Sequence, residues 1–504
     1  MENDDDDSSS TTSTPSEKRS NVRFRQGPHT PRSHSVYGRV DEKFELSHKV
    51  NMYESQGEHE PAPWLSHNCN IIVFTFSGKP VYVRYGSEDL IAGFTGTLQA
   101  LVSKFAFTGF SDKEDRLRSI SLGSLRIEFL NKSPLILVCI SRNPFVPHAS
   151  LHRLLAAVHA QLLFVLTGGI NVTLLSRPSF DVRTLLGGTK PLLGNLISWM
   201  NRDMLLAISD SAVEPLPLPV SVRSEVIKHL QDDCPGCSML TLLLSGHRLI
   251  ATGAGPEYHQ LVSASDLILL INLVISSASM RSSESWTPVC LPSLSSEAFV
   301  YAYVQYLSAD ATYVCISLSP DSANFHSISN HAGAVKTKLS TGETLLIDVI
   351  SEWASKCPLG MGAVKDSDGS NEKRESINRV RHCAIVLNQS RQVFSSAINL
   401  SQGDISHKDI FRSYQQCVCM LDKCDTTSDS WSQQVSITYK NNFVFVWLTS
   451  EFQLFLTAPR GTDVSVITYM YQWLRENEQT LFIPNLSFKG TSGTRINNKA
   501  LSLW

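Results

Sequence analysis

The sequence predicts an α/β (α+β) protein made of three similar units, each a mainly antiparallel five-stranded sheet with flanking helices. Three features carry that prediction. Short β-rich runs joined by tight turns open each unit, an amphipathic helix pattern follows, and the same order restarts after a Pro-rich break and again after a polar one. At 504 residues the chain is too long for a single core, and about three domains is the usual division.

In the first unit Cys69–Phe76 reads as a strand, Ser77-Gly78-Lys79 as its turn and Pro80–Arg84 as the returning strand. Gly86-Ser-Glu-Asp89 then opens a helix, with acids that suit the positive end of the helix dipole. Leu90, Ile91, Phe94, Leu98, Leu101, Val102 and Phe105 recur at helical spacing and predict its inner face. Arg118–Leu122, Ser124–Leu130 and Leu135–Ile140 read as strands, the last apolar enough to be central. Leu151–Thr167 supplies a covering helix ended by Gly168-Gly169.

After Pro215-Leu-Pro-Leu-Pro219 a second hairpin, Met239–Leu244 and Arg248–Ala251, turns at Ser245-Gly246. A helix over about Ala264–Ser277, strands Phe299–Leu307 and Thr312–Leu318, and helical material near Leu345–Trp353 complete that unit. The third opens with the strand Cys383–Leu387 and continues with a helix near Phe411–Leu421. Strands Gln434–Tyr439, Phe443–Leu448 and Phe452–Leu456 come next, then a last helix over Asp463–Glu478 whose inner face is Val464, Ile467, Tyr471 and Leu474. The expected division is a disordered tail over 1–66, domains over 67–200, 237–357 and 380–484, linkers over 201–236 and 358–379, and a polar tail over 485–504.

The tail passes from the acidic run Asp4–Asp7 to Ser/Thr and then to basic residues, a composition that cannot build a core. Thr14-Pro15, Thr30-Pro31 and Arg32-Ser33 are expected phosphorylation sites if the tail is regulatory; an inert solvated tail has the same composition. A net charge of -3 offers no overall attraction for nucleic acid, and none is expected as a partner. Eleven scattered cysteines without a secretory signal fit a reducing compartment. Two apolar stretches, Leu151–Leu175 and Val262–Ile275, are interrupted by polar residues or too short, and are expected to be buried helices.

Chemistry-bearing patterns are weak. Cys234-Pro-Gly-Cys237 has metal-ligand spacing, but His229 and His247 do not make a second half, and Cys417-Val-Cys419 and Cys424 lie far along the chain. Gly187-Gly-Thr-Lys190 lacks the phosphate-loop pattern and no Gly-x-Ser-x-Gly elbow occurs. No catalytic residue, metal or cofactor is therefore expected.

Longer motifs carry more information. Gly78-Lys-Pro-Val-Tyr-Val-Arg-Tyr-Gly86 with Leu98–Val102, Arg177–Thr189, Glu284–Pro292 and Thr449–Leu456 resemble the Mon/SAND family of vacuolar fusion proteins, across about residues 67–484. The resemblance implies three longin domains and a Ccz-type partner, also built of longin domains. It further implies that the heterodimer is the guanine nucleotide exchange factor of a late-endosomal Rab GTPase. An upstream early-endosomal Rab and phosphoinositide-containing endosomal membrane are the implied recruiting partners. The resemblance places the exchange surface where the two first longin domains meet. On this chain that suggests the hairpin end and helix start: Arg84, Tyr85, Gly86, Glu88 and Asp89. Arg and Tyr are favoured at interface centres, although strand termination and helix capping account for the same residues. Trp286, in the polar segment Ser282–Pro288, is a second candidate for a Rab or subunit contact; packing on its own domain is the alternative. A longin scaffold or tether that binds Rabs without exchange is the competing reading.

Overall fold

The computed structural model describes residues 67–107, 117–123, 125–143, 146–203, 205–206, 212–253, 262–342, 345–356, 377–398, 406–421, 432–484, 486 and 488. The tail sites Thr14, Thr30 and Ser33, the polar linker Lys365–Arg374 and Cys424 lie outside the described residues.

The first unit runs β1 (Cys69–Thr75), β2 (Pro80–Val83), α1 (Ala92–Phe107), β3 (Ser119–Leu122), β4 (Leu125–Lys132), β5 (Leu135–Ser141) and α2 (His148–Leu166). Then come α3 (Gly169–Ser176), a 3-10 turn (Val182–Leu185) and α4 (Lys190–Arg202). Helix α5 (Val220–Gln231) leads into β6 (Ser238–Ser245), β7 (Arg248–Thr252), α6 (Ala264–Ser276), β8 (Ser285–Cys290), β9 (Phe299–Tyr306), β10 (Thr312–Ser317), α7 (Ser322–Leu339) and α8 (Leu346–Lys356). The third unit holds β11 (His382–Leu387), β12 (Gln392–Ser395), α9 (His407–Leu421), β13 (Ser432–Tyr439), β14 (Asn442–Thr449), β15 (Phe452–Pro459), α10 (Ser465–Glu476) and α11 (Glu478–Leu481). Each unit forms one five-stranded antiparallel sheet with its second strand at one edge, then the first, fifth, fourth and third, so the three longin-type sheets predicted from the sequence are present.

The central strands are buried on both faces, which explains their unbroken apolar runs. In β1 and β5, Ile71, Val73, Leu135 and Leu137 face α2, while Ile72, Phe74, Ile136 and Val138 face the α1 side. In β6 and β10, Leu240, Leu242, Val314 and Ile316 join the same core as the α2 face of the first sheet. Units one and two thus share one core, with α2, α4 and α6 between their sheets. Two buried side chains cross it: Asn272 on α6 donates to Gln161 Oε1 on α2 at 2.9 Å and to the Leu192 carbonyl at 3.0 Å. α2 is long and apolar enough to cross a membrane by length and composition, but half of it is buried inside this core.

Several expectations need correction. α1 starts at Ala92, so Leu90 precedes it and is 72% exposed, and Phe105 turns outward; Ile91, Leu98 and Val102 are buried as expected. Val464 likewise precedes its helix and is half exposed, while Ile467, Tyr471 and Leu474 are buried. Gly168-Gly169 ends α2 but also opens α3. The polar segment around Trp286 is the edge strand β8, paired with β9 from Ser285↔Val304 to Cys290↔Phe299. α7 escaped the periodicity reading because its inner face, Ile328, His331, Ala332, Val335 and Leu339, includes small and polar residues. The segment 485–504 is not polar throughout, since Leu486 and Phe488 return to the shared core. Within the expected linker 201–236, residues 212–218 are all buried and Val220–Gln231 is helical.

That last segment locks the units together. Val213 bridges Gln392 on the β12 edge and Pro215 bridges Leu249 on the β7 edge, both in parallel. The backbone N–H of Leu216 donates to Leu249 at 2.8 Å and that of Leu218 to Thr480 at 3.0 Å. Between the bridges, buried Glu214 accepts from His247 Nε2 and Arg248 Nε, each at 3.1 Å. Burial acts to raise the Glu214 pKa, but the Arg248 charge and both hydrogen bonds prevail and hold it at about 2. Arg223 on α5, 1% exposed, donates to the carbonyls of Ile250 (3.0 Å), Leu216 (3.0 Å) and Thr480 (2.8 Å). Desolvation lowers its pKa to about 10, so it remains charged at neutral pH. α5 sits so close to β7 that a Cβ on Gly253 would lie 2.5 Å from Leu230 Cβ and 2.4 Å from Thr241 Oγ1.

Two stability predictions follow from this geometry. A carboxyl held at about 2 rather than 4.5 contributes about 3 kcal/mol, present above pH 4.5 and lost as pH falls through 2. Glu214→Gln should therefore cost about 3–5 kcal/mol at neutral pH, because it strands the Arg248 charge. Its deficit in urea unfolding should shrink by about 3 kcal/mol on acidification to pH 2; a constant deficit would exclude Glu214 as the acid-sensitive group. Gly253→Ala should destabilise by about 1–3 kcal/mol through overpacking, read as a lower urea midpoint; an unchanged midpoint would contradict the close helix–strand approach.

Candidate functional site

The predicted site residues sit where the β1–β2 hairpin runs into α1. The Arg84 N–H donates to the Ile71 carbonyl at 2.9 Å, one residue beyond β2. Its guanidinium donates through Nη2 to Ser198 Oγ on α4 at 3.1 Å and lies 5.1 Å from the centroid of the Tyr85 ring. Nη1 of Arg84 is buried without a hydrogen-bond partner among the described residues. Tyr85 stacks on His67 with centroids 3.7 Å apart and planes within 10°. Its backbone exchanges two 3.3 Å hydrogen bonds with the Asn70 side chain. Burial, then the Arg84 charge, lower the His67 pKa, so this imidazole stays neutral on the ring face.

Gly86 has φ +104°, a backbone conformation that side-chain-bearing residues rarely adopt, and it turns the chain from the strand toward α1. Glu88 and Asp89 fall in the turn before α1 rather than in its first helical turn. Glu88 Oε1 accepts from Lys190 Nζ at 2.7 Å, and exposed Asp89 from Arg183 Nη1 at 3.3 Å. Arg183 in turn forks onto Asp181, with Nε and Nη2 at 3.0 and 2.8 Å from its two oxygens. The Arg183 hydrogen bonds hold the Asp181 carboxyl at about 2. At the hairpin tip, Lys79 Nζ donates to the Ser179 carbonyl at 3.2 Å and Ser77 Oγ to the Pro178 carbonyl at 3.2 Å.

Two sequence motifs about a hundred residues apart therefore meet. Residues 177–190 form a strap along the hairpin Ser77–Gly86 and the start of α1. The five residues Arg84, Tyr85, Gly86, Glu88 and Asp89 share one surface with Lys79, Asp181, Arg183 and Lys190, which sequence reasoning did not assign to it. The charge pattern Asp181-Val-Arg183 was readable; its partner across the fold was not. Leu90 and Leu185 stay exposed on the same elements.

Trp286 lies elsewhere, in the second unit. It is half-buried on β8, stacks on Tyr301 (5.6 Å, 17°) and meets Phe325 edge-on (6.0 Å, 79°). Cys234 and Cys237 are half-buried and Cys417 buried, and among the described residues no three His, Cys, Asp or Glu are placed to hold a metal. The arrangement offers a braced, mixed-charge surface with an aromatic face, suited to recognising another macromolecule.

Comparison with known proteins agrees with the fold. Residues 69–196 match the family described as the first longin domain of FUZ, MON1 and HPS1, and residues 238–337 the second longin domain of the same proteins. Protein SAND of Takifugu rubripes is 31% identical over 427 residues, covering 83% of this chain and 77% of the relative. Vacuolar fusion protein MON1 homolog A of Gallus gallus is 28% identical over 426 residues, covering 83% and 73%. The Arabidopsis thaliana MON1 homolog is 35% identical over 266 residues, 52% of this chain and 41% of its own length. With three longin-type sheets in one chain and similarity running through most of its length, the protein belongs to the MON1/SAND family of vacuolar fusion proteins.

Proposed function

We propose that this chain is the Mon-type subunit of a heterodimeric guanine nucleotide exchange factor. It pairs with a Ccz-type longin subunit and activates a late-endosomal Rab GTPase, driving early-to-late endosome conversion and fusion with the vacuole or lysosome. It acts from the cytoplasm, peripherally on phosphoinositide-containing endosomal membrane, where an upstream early-endosomal Rab helps to recruit it. The observation that carries the reading is the braced hairpin end in a chain whose relatives are named vacuolar fusion proteins.

Exchange needs no nucleophile. A GTPase that holds nucleotide at nanomolar affinity does so with about 12 kcal/mol, largely through phosphate and metal contacts. A factor that binds the empty GTPase more tightly than the loaded one weakens the nucleotide by the same coupling energy. The surface must be stiff, because a loop that yields would spend the coupling on its own distortion. The strap, Ser198 and the Gly86 turn supply stiffness; Arg84 and Tyr85 supply broad contact area with donors. Trp286, already stacked within its own unit, is a preorganised anchor for a second partner.

The test is release of a fluorescent guanine nucleotide from the late-endosomal Rab by the purified pair. Acceleration well above the rate of the Rab alone supports exchange, and Rab binding without release supports the tether. Tyr85→Ala should slow exchange by about tenfold or more, the effect of losing one interface anchor of about 1.4 kcal/mol or more. Leu318→Ala, a surface change in the second unit, should leave the rate unchanged. An equal rate with Tyr85→Ala in a normally folded pair would move the exchange surface elsewhere.

A further inference from the structure

One cluster has no part in the exchange mechanism. Cys69 opens β1 and Cys139 sits on the adjacent β5, where the register pairs Ile71 with Cys139 and Cys69 with Ser141. The two cysteines are thus diagonal neighbours on one sheet face, and their sulfurs lie 3.4 Å apart. Disulfide bonding requires about 2.05 Å, a closure of just over 1 Å that a strand terminus accommodates more readily than a strand centre. Cys69 is half-buried at the end of its strand, whereas Cys139 is fully buried.

Arg84 faces this pair with a buried Nη1 that has no hydrogen-bond partner among the described residues, and its ordered polar contact is a neutral hydroxyl. A guanidinium so placed favours an anion nearby, and the adjacent sulfur is the group able to become one. From this geometry we infer that Cys69 and Cys139 form a peroxide-oxidisable dithiol, with Cys69 as the attacking and Cys139 as the resolving thiol.

The electrostatics agree. The Cys139 thiol, donating to Cys69, lowers the Cys69 pKa against opposing burial, helped by the Arg84 charge and the Asn201 side chain. The same hydrogen bond, with burial, pushes Cys139 well up. In the first step the Cys69 thiolate attacks one oxygen of hydrogen peroxide. The S–O bond forms as the O–O bond breaks, and the departing hydroxide takes up the proton released by Cys69 and becomes water. In the second step the Cys139 sulfur attacks the sulfenic sulfur of Cys69. The S–S bond forms as the S–O bond breaks, and the hydroxyl leaves as water with the Cys139 proton. Two thiols supply two electrons, and one peroxide is reduced to two waters.

The test uses the full chain. Peroxide treatment, alkylation of remaining thiols and peptide mass spectrometry should yield a cross-linked pair of peptides containing Cys69 and Cys139, lighter by about 2 Da than their sum and released by dithiothreitol. In Cys139→Ser, dimedone should trap a sulfenic acid at Cys69. Arg84→Gln should slow Cys69 alkylation at neutral pH and move its pH–rate midpoint upward. If Cys69 and Cys139 both remain alkylatable while other cysteines oxidise, the assignment is wrong. A midpoint for Cys69 that Arg84→Gln leaves in place removes Arg84 as its activator. These readouts are independent of nucleotide exchange, so failure of one reading leaves the other intact.

Discussion

The pass of residues 213–218 between two sheet edges is the constraint on which the rest of the molecule depends. An edge strand presents unpaired N–H and carbonyl groups that must find partners when buried. Here one short extended segment serves β12 of the third unit and β7 of the second at once. Proline suits it: the bridge runs through carbonyls and the few remaining N–H groups, and a fixed φ lowers the entropy lost on ordering. The buried charges of Glu214 and Arg248 neutralise each other, while Arg223 gathers three carbonyls into a joint between α5, β7 and α11. Removing one member leaves its partners buried and unmatched, so the junction acts as a unit.

Helix α4 connects that junction to the candidate surface. Trp199 packs edge-on against His247, 6.1 Å between centroids, beside the Glu214 pair. The preceding residue, Ser198, accepts from Arg84; Lys190 at the helix start holds Glu88, and Asn201 near its end reaches Cys69. One rigid element thus anchors the hairpin end to the point where the three units meet. The shared core of units one and two supports α4 from the other side through the Asn272 contact with Leu192. The candidate surface is therefore carried by the entire assembly rather than by the first unit alone.

The thiol pair lies on this route as well. Cys69 begins the strand whose partner ends in Arg84, and Asn70 beside it holds the Tyr85 backbone. A change in charge at Cys69 is felt at Arg84, whose positive charge acts on that thiol.

The sequence alone determined the local and repeating features. Alternation and apolar runs locate the central strands, Gly78 and Gly246 mark two hairpin turns, and Leu98 and Val102 betray the buried side of α1, because these follow from backbone geometry and short-range periodicity. The hairpin-end residues are near neighbours in the chain, but the resemblance to the Mon/SAND family, not periodicity, singled them out. Tertiary structure alone decided which distant segments meet. It put Arg183 on Asp89 and Lys190 on Glu88, made β8 from a polar run by stacking Trp286 on Tyr301, and turned a supposed linker into the central clamp. Burial of Arg223 or Glu214 cannot be read from composition, since a charged residue enters a core only where specific partners from other parts of the chain neutralise it, and those partners exist only once the chain has folded.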